Sequence, residues 1–203
     1  MPNQVGWISW FLAMEDHNFL CELEKDFIKD PYNHIGIKNL FPNFKEALEM
    51  ILNDDNPDDD DLEDKAFANI YTQALDVYGL LHKKYIYTKL GMNSVREKYL
   101  NGVYGICPRV FCSGQKCLPI GMSDHLKHAK LKIYCPKCQE VYLPKKRVED
   151  IDGAFYGMSF PNVFLKWNKE LDLKHREIKR FEPVINGFKI YGKRGSNFES
   201  VTN

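Results

Sequence analysis

Two short cysteine pairs constrain this chain more than any other feature. Cys107-x4-Cys112 and Cys135-x2-Cys138 are separated by 22 residues. Pairs at such a separation are the pattern of a four-thiolate metal site. Each pair projects two sulfurs from one tight turn, and two facing turns complete a tetrahedron with zinc–sulfur distances of about 2.3 Å. The turn Cys135-Pro-Lys-Cys138 also offers backbone amides that can donate to the sulfurs. Four protein ligands leave no open position, so one structural zinc ion per chain is expected, not a catalytic one. Its binding energy would support a small domain with little core of its own. Cys117 in place of Cys112, and His125 or His128 in place of a cysteine, are the alternatives. The first leaves nine residues after Cys107, a poor span for a tight turn. The histidines lie in a connecting segment and read as exposed.

The chain's 203 residues and 23.7 kDa can bury a core without disulfide staples. No apolar run approaches the roughly 18–20 residues of a membrane span. The apolar run from Trp7 to Met14 is short, and no basic residue precedes it, so it does not read as a signal peptide. The cytoplasm and nucleus are therefore the expected locations, and there spaced cysteines read as metal ligands before disulfides. Cys21, in a helical stretch after Phe19 and Leu20, reads as a small buried hydrophobe. The 28 basic and 28 acidic residues cancel, which argues against a uniformly basic nucleic-acid binder. Their distribution is uneven: residues 1–126 hold 12 basic and 19 acidic residues, and 127–203 hold 16 and 9.

The pattern predicts an α+β protein: a mainly helical region over 1–104, a small zinc-ribbon domain with a short antiparallel sheet over 105–165, and a C-terminal segment and tail over 166–203. The clearest helix runs from about Leu62 to Tyr87, with Phe67, Ile70, Tyr71, Ala74, Leu75, Tyr78, Leu81 and Tyr85 on one stripe. A second covers Phe44 to Leu52. A third is expected near Ser94, where Ser94-Val-Arg-Glu97 fits a capping box, with Gly91 ending the long helix before it. Trp7 to Ile28 reads as helical in pieces, broken at Asp30-Pro31. Leu131–Tyr134 and Glu140–Leu143 read as strands.

Asp54, Asp55, Asp58, Asp59, Asp60, Asp61, Glu63 and Asp64 form an acidic run before the long helix. Its plain reading is a solvated loop at the positive end of that helix. It would also attract basic ligands. The chain has no Gly-rich phosphate loop, no G-x-S-x-G and no H-E-x-x-H. His82 lies inside the long helix as a core or boundary residue.

Several stretches together resemble the regulatory beta subunit of casein kinase II. They are Trp7-Ile-Ser-Trp-Phe11, Cys107-Pro-Arg-Val-Phe-Cys112, Leu118-Pro-Ile-Gly-Met-Ser-Asp124, Tyr134-Cys-Pro-Lys-Cys138 and Asp152-Gly-Ala-Phe-Tyr-Gly-Met-Ser-Phe-Pro161. The resemblance spans about Trp7 to Tyr191. It implies a non-catalytic protein that forms a homodimer through its zinc domain, binds two catalytic kinase subunits per dimer, and modulates their stability, activity and substrate choice. The family's dimer contact falls on Pro108, Val110, Val141 and Tyr142. Its main kinase contact falls on a C-terminal hairpin with Asn186, Phe188 and Ile190, Phe188 being the aromatic anchor. The acidic loop would take basic protein substrates or polyamines. The family usually has Tyr where this chain has Asn186, and loss of that ring is expected to weaken or reshape the kinase contact. The family's N-terminal autophosphorylation cluster is missing from Met1–Gly6, so no such modification is expected there. Ser196, followed by Glu199, is a minimal match to an acidic kinase consensus.

The competing reading is a zinc-ribbon adaptor for nucleic acid, using the basic back half. Against it, apolar residues stand beside the cysteines where a phosphate reader would carry Lys or Arg. An enzyme is the third reading, and the sequence offers it no site.

Overall fold

A computed structural model describes residues 6–14, 17–55, 64–145, 151–173 and 184–189. It contains helices and a small antiparallel sheet. Six α-helices are described: α1 (Trp7–Ala13), α2 (Lys25–Lys29), α3 (Phe44–Leu52), α4 (Lys65–Tyr85), α5 (Lys89–Leu100) and α6 (Phe160–Trp167). Strands β1 (Leu118–Ile120), β2 (Lys132–Tyr134) and β3 (Val141–Tyr142) form one antiparallel sheet in chain order. Strands β4 (Val184–Ile185) and β5 (Phe188–Lys189) form a separate hairpin. No described helix is long and apolar enough to cross a membrane.

The α3 helix has the expected bounds and buries Phe44, Ala47 and Ile51. Asp64 caps α4, its carboxylate accepting from Ala66 N–H. The helix therefore starts at Lys65 and ends at Tyr85, somewhat inside the expected span. Its buried side is wider than one stripe: Asp76, Val77 and His82 join Ala74, Tyr78, Leu81 and Tyr85. Two elements hold this width, α3 on one side and the short turn Gly153–Phe155 on the other.

The next helix corrects the expectation at Ser94. It begins at Lys89, capped by Thr88, whose hydroxyl accepts from Gly91 N–H at 3.1 Å. Ser94 and Glu97 lie in its interior. Gly91 ends no helix; it sits in the first turn of α5, where an added Cβ would lie 2.1 Å from the Tyr85 carbonyl. The absence of a side chain lets the corner between α4 and α5 close.

The Trp7-Ile-Ser-Trp-Phe11 motif is α1. Trp7 stacks on Phe11 at 4.7 Å between ring centres, and Phe11 meets Tyr78 of α4 at 5.2 Å. The Tyr78 hydroxyl donates to the Cys21 carbonyl at 2.9 Å. Cys21 is fully buried, and burial pushes its thiol pKa up. Each such apolar side chain contributes about 1.5–3 kcal/mol through burial.

The same core continues into the cysteine-bearing half. Tyr156 donates to the Phe19 carbonyl and meets Tyr104, and Tyr104 in turn meets Phe19 at 5.3 Å. The motifs Leu118-Pro-Ile-Gly and Asp152-Gly-Ala turn out to be one contact. A Cβ on Gly121 would lie 2.1 Å from the Gly153 carbonyl, so two backbones touch there. Asp152 holds the second turn, accepting from Ala154 N–H at 2.8 Å. β1 lies outside the expected strands; its Pro119 is accommodated because β1 is an edge of the sheet.

His82 ties the two halves together. Its Nδ1–H donates to the Phe155 carbonyl at 3.0 Å, and its ring meets Tyr156 at 4.9 Å. Complete burial lowers its pKa from 6.5 to about 4, against the opposing pull of the Phe155 carbonyl. In the unfolded chain the imidazole takes a proton near pH 6.5; in the fold it does so only near 4. The unfolded state therefore binds more protons in that window. This contribution is fully present above 6.5 and is lost as pH falls to 4, by about 3 kcal/mol. Denaturant midpoints measured from pH 7 to 4 should fall steeply in the native chain. The slope should flatten in His82→Gln, which keeps a donor but cannot titrate.

Candidate metal centre

The first cysteine pair sits on a loop closed by backbone bonds. Cys107 N–H donates to the Gln115 carbonyl at 2.7 Å and Cys112 N–H to the Arg109 carbonyl at 2.9 Å. The second pair sits on a turn between β2 and β3, with Gln139 N–H on the Cys135 carbonyl at 2.8 Å. Each pair is followed by a left-handed residue, Ser113 (φ 53°) and Gln139 (φ 60°), which swings the chain away after the second sulfur.

The four sulfurs of Cys107, Cys112, Cys135 and Cys138 all lie within 4.8 Å of one another, and all four residues are buried. Cys107 and Cys138 sulfurs are 3.8 Å apart, and those of Cys112 and Cys135 are 4.0 Å apart. A tetrahedron with metal–sulfur bonds of 2.3 Å has edges of about 3.8 Å. The cluster thus has the dimensions and donors to hold one metal ion, and these are compatible with zinc.

Electrostatics point the same way. Burial and neighbouring thiols push Cys107 and Cys112 up, and contact with Cys117 followed by burial pushes Cys135 up. Thiolates this crowded cannot all ionise unless a cation lies among them. Backbone amides already face the sulfurs: Arg109 N–H toward Cys107, Lys137 and Cys138 N–H toward Cys135, and Glu140 N–H toward Cys138. Burial works to raise Cys138, but the Tyr142 hydroxyl, 3.3 Å from its sulfur, the Glu140 amide and the Cys135 and Cys112 thiols together outweigh it and lower the thiol to about 7. This role of Tyr142 was missed in the sequence, because it depends on how the turn enters β3.

Cys117 is buried beside Cys135 but falls outside the four-sulfur group. His125 and His128 are exposed, away from that group. Around the cluster, Val110 is 86% exposed on the turn between the first two cysteines. Pro108 is exposed; Val141 and Tyr142 are half-buried. Asn186 and Phe188 lie on the β4–β5 hairpin, while Ile190 lies outside the described residues. Of the acidic run, Asp54 pairs with Lys25, Asp55 is exposed and Asp64 caps α4. The Lys25 ammonium lowers the Asp54 pKa. Asp58, Asp59, Asp60, Asp61 and Glu63 lie outside the described residues.

A buried four-sulfur cluster beside a small sheet, braced by a helical body, could hold one metal ion with all four protein ligands in place, which leaves no coordination position for a substrate. The family model described as casein kinase II regulatory subunit matches residues 6–189. A putative casein kinase II subunit beta-4 of Arabidopsis thaliana is 37% identical over 95% of this chain and 68% of its own length. Casein kinase II subunit beta of Schizosaccharomyces pombe is 38% identical over 91% and 79%, and subunit beta' of Drosophila melanogaster 39% over 93% and 85%. The chain belongs to the casein kinase II regulatory subunit family. It is a regulatory, non-catalytic beta subunit, and these relatives do not favour the nucleic-acid adaptor.

Cys135→Ser should release the bound metal and unfold the sheet, whereas Cys117→Ser should leave one ion per chain. Metal analysis after dialysis, with circular dichroism, checks both. Acid should also strip the metal, because protons compete for the sulfurs.

Proposed function

We propose that the ion is zinc and that the chain forms a homodimer through the surface it supports, with Val110 at the centre of the contact and Pro108, Val141 and Tyr142 around it. An apolar side chain left 86% exposed on a rigid turn between two ligands is what a partner face requires. The dimer then carries two catalytic kinase subunits and adjusts their stability, activity and substrate choice. In this reading the zinc-ribbon domain spans 105–165, between a helical domain over 1–104 and a kinase-binding segment over 166–203. The acidic run, including Asp54, Asp55 and Asp64, draws basic substrates or polyamines, and the protein works in the cytoplasm and nucleus.

The observation that carries the kinase contact is the β4–β5 hairpin. Val184, Ile185 and Phe188 are 55%, 63% and 80% exposed, so the hairpin presents an apolar surface. Asn186 and Gly187 occupy the two corner positions, with φ of 48° and 85°. Both being left-handed, they form the two-residue turn that matches the twist of paired strands, and Asn-Gly is the favoured sequence for it. Beside the expected loss of a ring at this position, Asn186 shapes the hairpin that presents Phe188. A preformed hairpin loses less entropy on docking, which offsets part of a missing aromatic contact.

The test mixes the purified chain with a casein kinase II catalytic subunit and measures mass by light scattering. Phe188→Ala should lose the kinase and keep the dimer. Val110→Asp should lose the dimer and keep kinase binding. Asn186→Val, which puts a β-branched residue at a left-handed corner, should weaken kinase binding about tenfold. A wild-type chain that ignores the kinase would overturn the proposal.

A further inference from the structure

The turn between β1 and β2 carries His125-Leu-Lys-His128, which the four-sulfur centre leaves unused. Lys127 is left-handed (φ 62°), and this corner brings the two imidazoles to the same side. Their ring centres are 5.5 Å apart, with planes inclined at 49°. The centre of a metal-bound imidazole lies about 3.2 Å from the ion, given a metal–nitrogen bond of 2.0–2.1 Å. Two such rings at a tetrahedral angle stand about 5.2 Å apart. The observed separation is therefore close to that of a chelating pair.

A second observation sets the donor atoms. His128 Nδ1 lies 3.1 Å from the Leu126 carbonyl. A carbonyl can only accept, so Nδ1 carries the proton and Nε2 keeps its lone pair. This is the arrangement by which metal-binding histidines are oriented, a backbone carbonyl on one nitrogen and the ion on the other. The turn is also held before any ion arrives. His125 N–H donates to Ser123 Oγ at 3.0 Å, and Lys127 N–H donates to the Asp152 carboxylate.

The geometry points to a second metal site, formed by His125 and His128, for a borderline divalent ion such as zinc, nickel or copper. Imidazole nitrogens suit these ions and not magnesium or calcium. Among the described residues no third His, Cys, Asp or Glu joins the pair. Water fills the remaining positions, so the site is open and its ion exchangeable, unlike the closed cluster. An ion here would also stiffen the turn that carries Lys127, whose ammonium pairs with Asp76 of α4 at 3.0 Å.

The test starts from full-length protein already holding one zinc per chain. A second equivalent of zinc is titrated by calorimetry, and long-range 15N–1H spectra of the imidazoles are recorded. The expected result is a second equivalent bound at about 100 μM or tighter, with His128 metallated at Nε2. His125→Gln and His128→Gln should each weaken it about tenfold, and the double variant should abolish it while the first zinc and the fold persist. Both side chains are exposed, so the variants test the site without disturbing a core. Absence of a second equivalent, its survival in the double variant, or metallation at His128 Nδ1 would overturn the assignment.

Discussion

Four sulfurs within 4.8 Å of one another are the constraint on which the second half of this protein depends. Without a cation their negative charges repel, and as protonated thiols they supply only weak contacts. The strands beside them are three, three and two residues long, too short to hold a sheet unaided. An ion in the cluster would link both turns at once. It would thereby fix the loop that holds Val110 outward and the turn that leads into β3.

The helical body braces this centre through shared aromatic packing. Phe19, Tyr104 and Tyr156 form a continuous contact between the N-terminal turns, the start of the cysteine-bearing half and the segment after the sheet. Gln115, whose carbonyl receives Cys107 N–H, also donates to the Tyr99 hydroxyl of α5 at 3.0 Å. Movement of the helices would therefore be felt at the first ligand turn. The hairpin at 184–189 differs: its apolar side chains are exposed, and its shape comes from its own corner. The protein thus combines a region whose four sulfurs could be held by a metal ion with a hairpin shaped by local turn chemistry.

What could be read from sequence followed from how local each determinant is. The four cysteines were legible because ligand spacing within tight turns is a short-range rule, and the bounds of α3 were legible from its periodicity. The start of α5 was not. Thr88 and Ser94 both offer a capping hydroxyl, and it is Thr88 that accepts from Gly91 N–H, at the tight corner where Gly91 meets the Tyr85 carbonyl. β1 was hidden by Pro119, tolerated only at a sheet edge. The left-handed backbone of Asn186 was not read in advance, because it shows only once Val184–Ile185 and Phe188–Lys189 are seen to pair. Tyr142 was legible as a neighbour of the cluster, but not as a hydroxyl reaching Cys138.

The central claim is that the ion in the cysteine cluster holds the surface through which two copies join. Sedimentation of the chain with its metal, and again after stripping by a chelator, tests it most directly. The account predicts one zinc per chain and a mass near twice 23.7 kDa before stripping, with the dimer lost when the metal leaves and regained when zinc is returned. A zinc-bound monomer, or a dimer indifferent to removal of the metal, would contradict it.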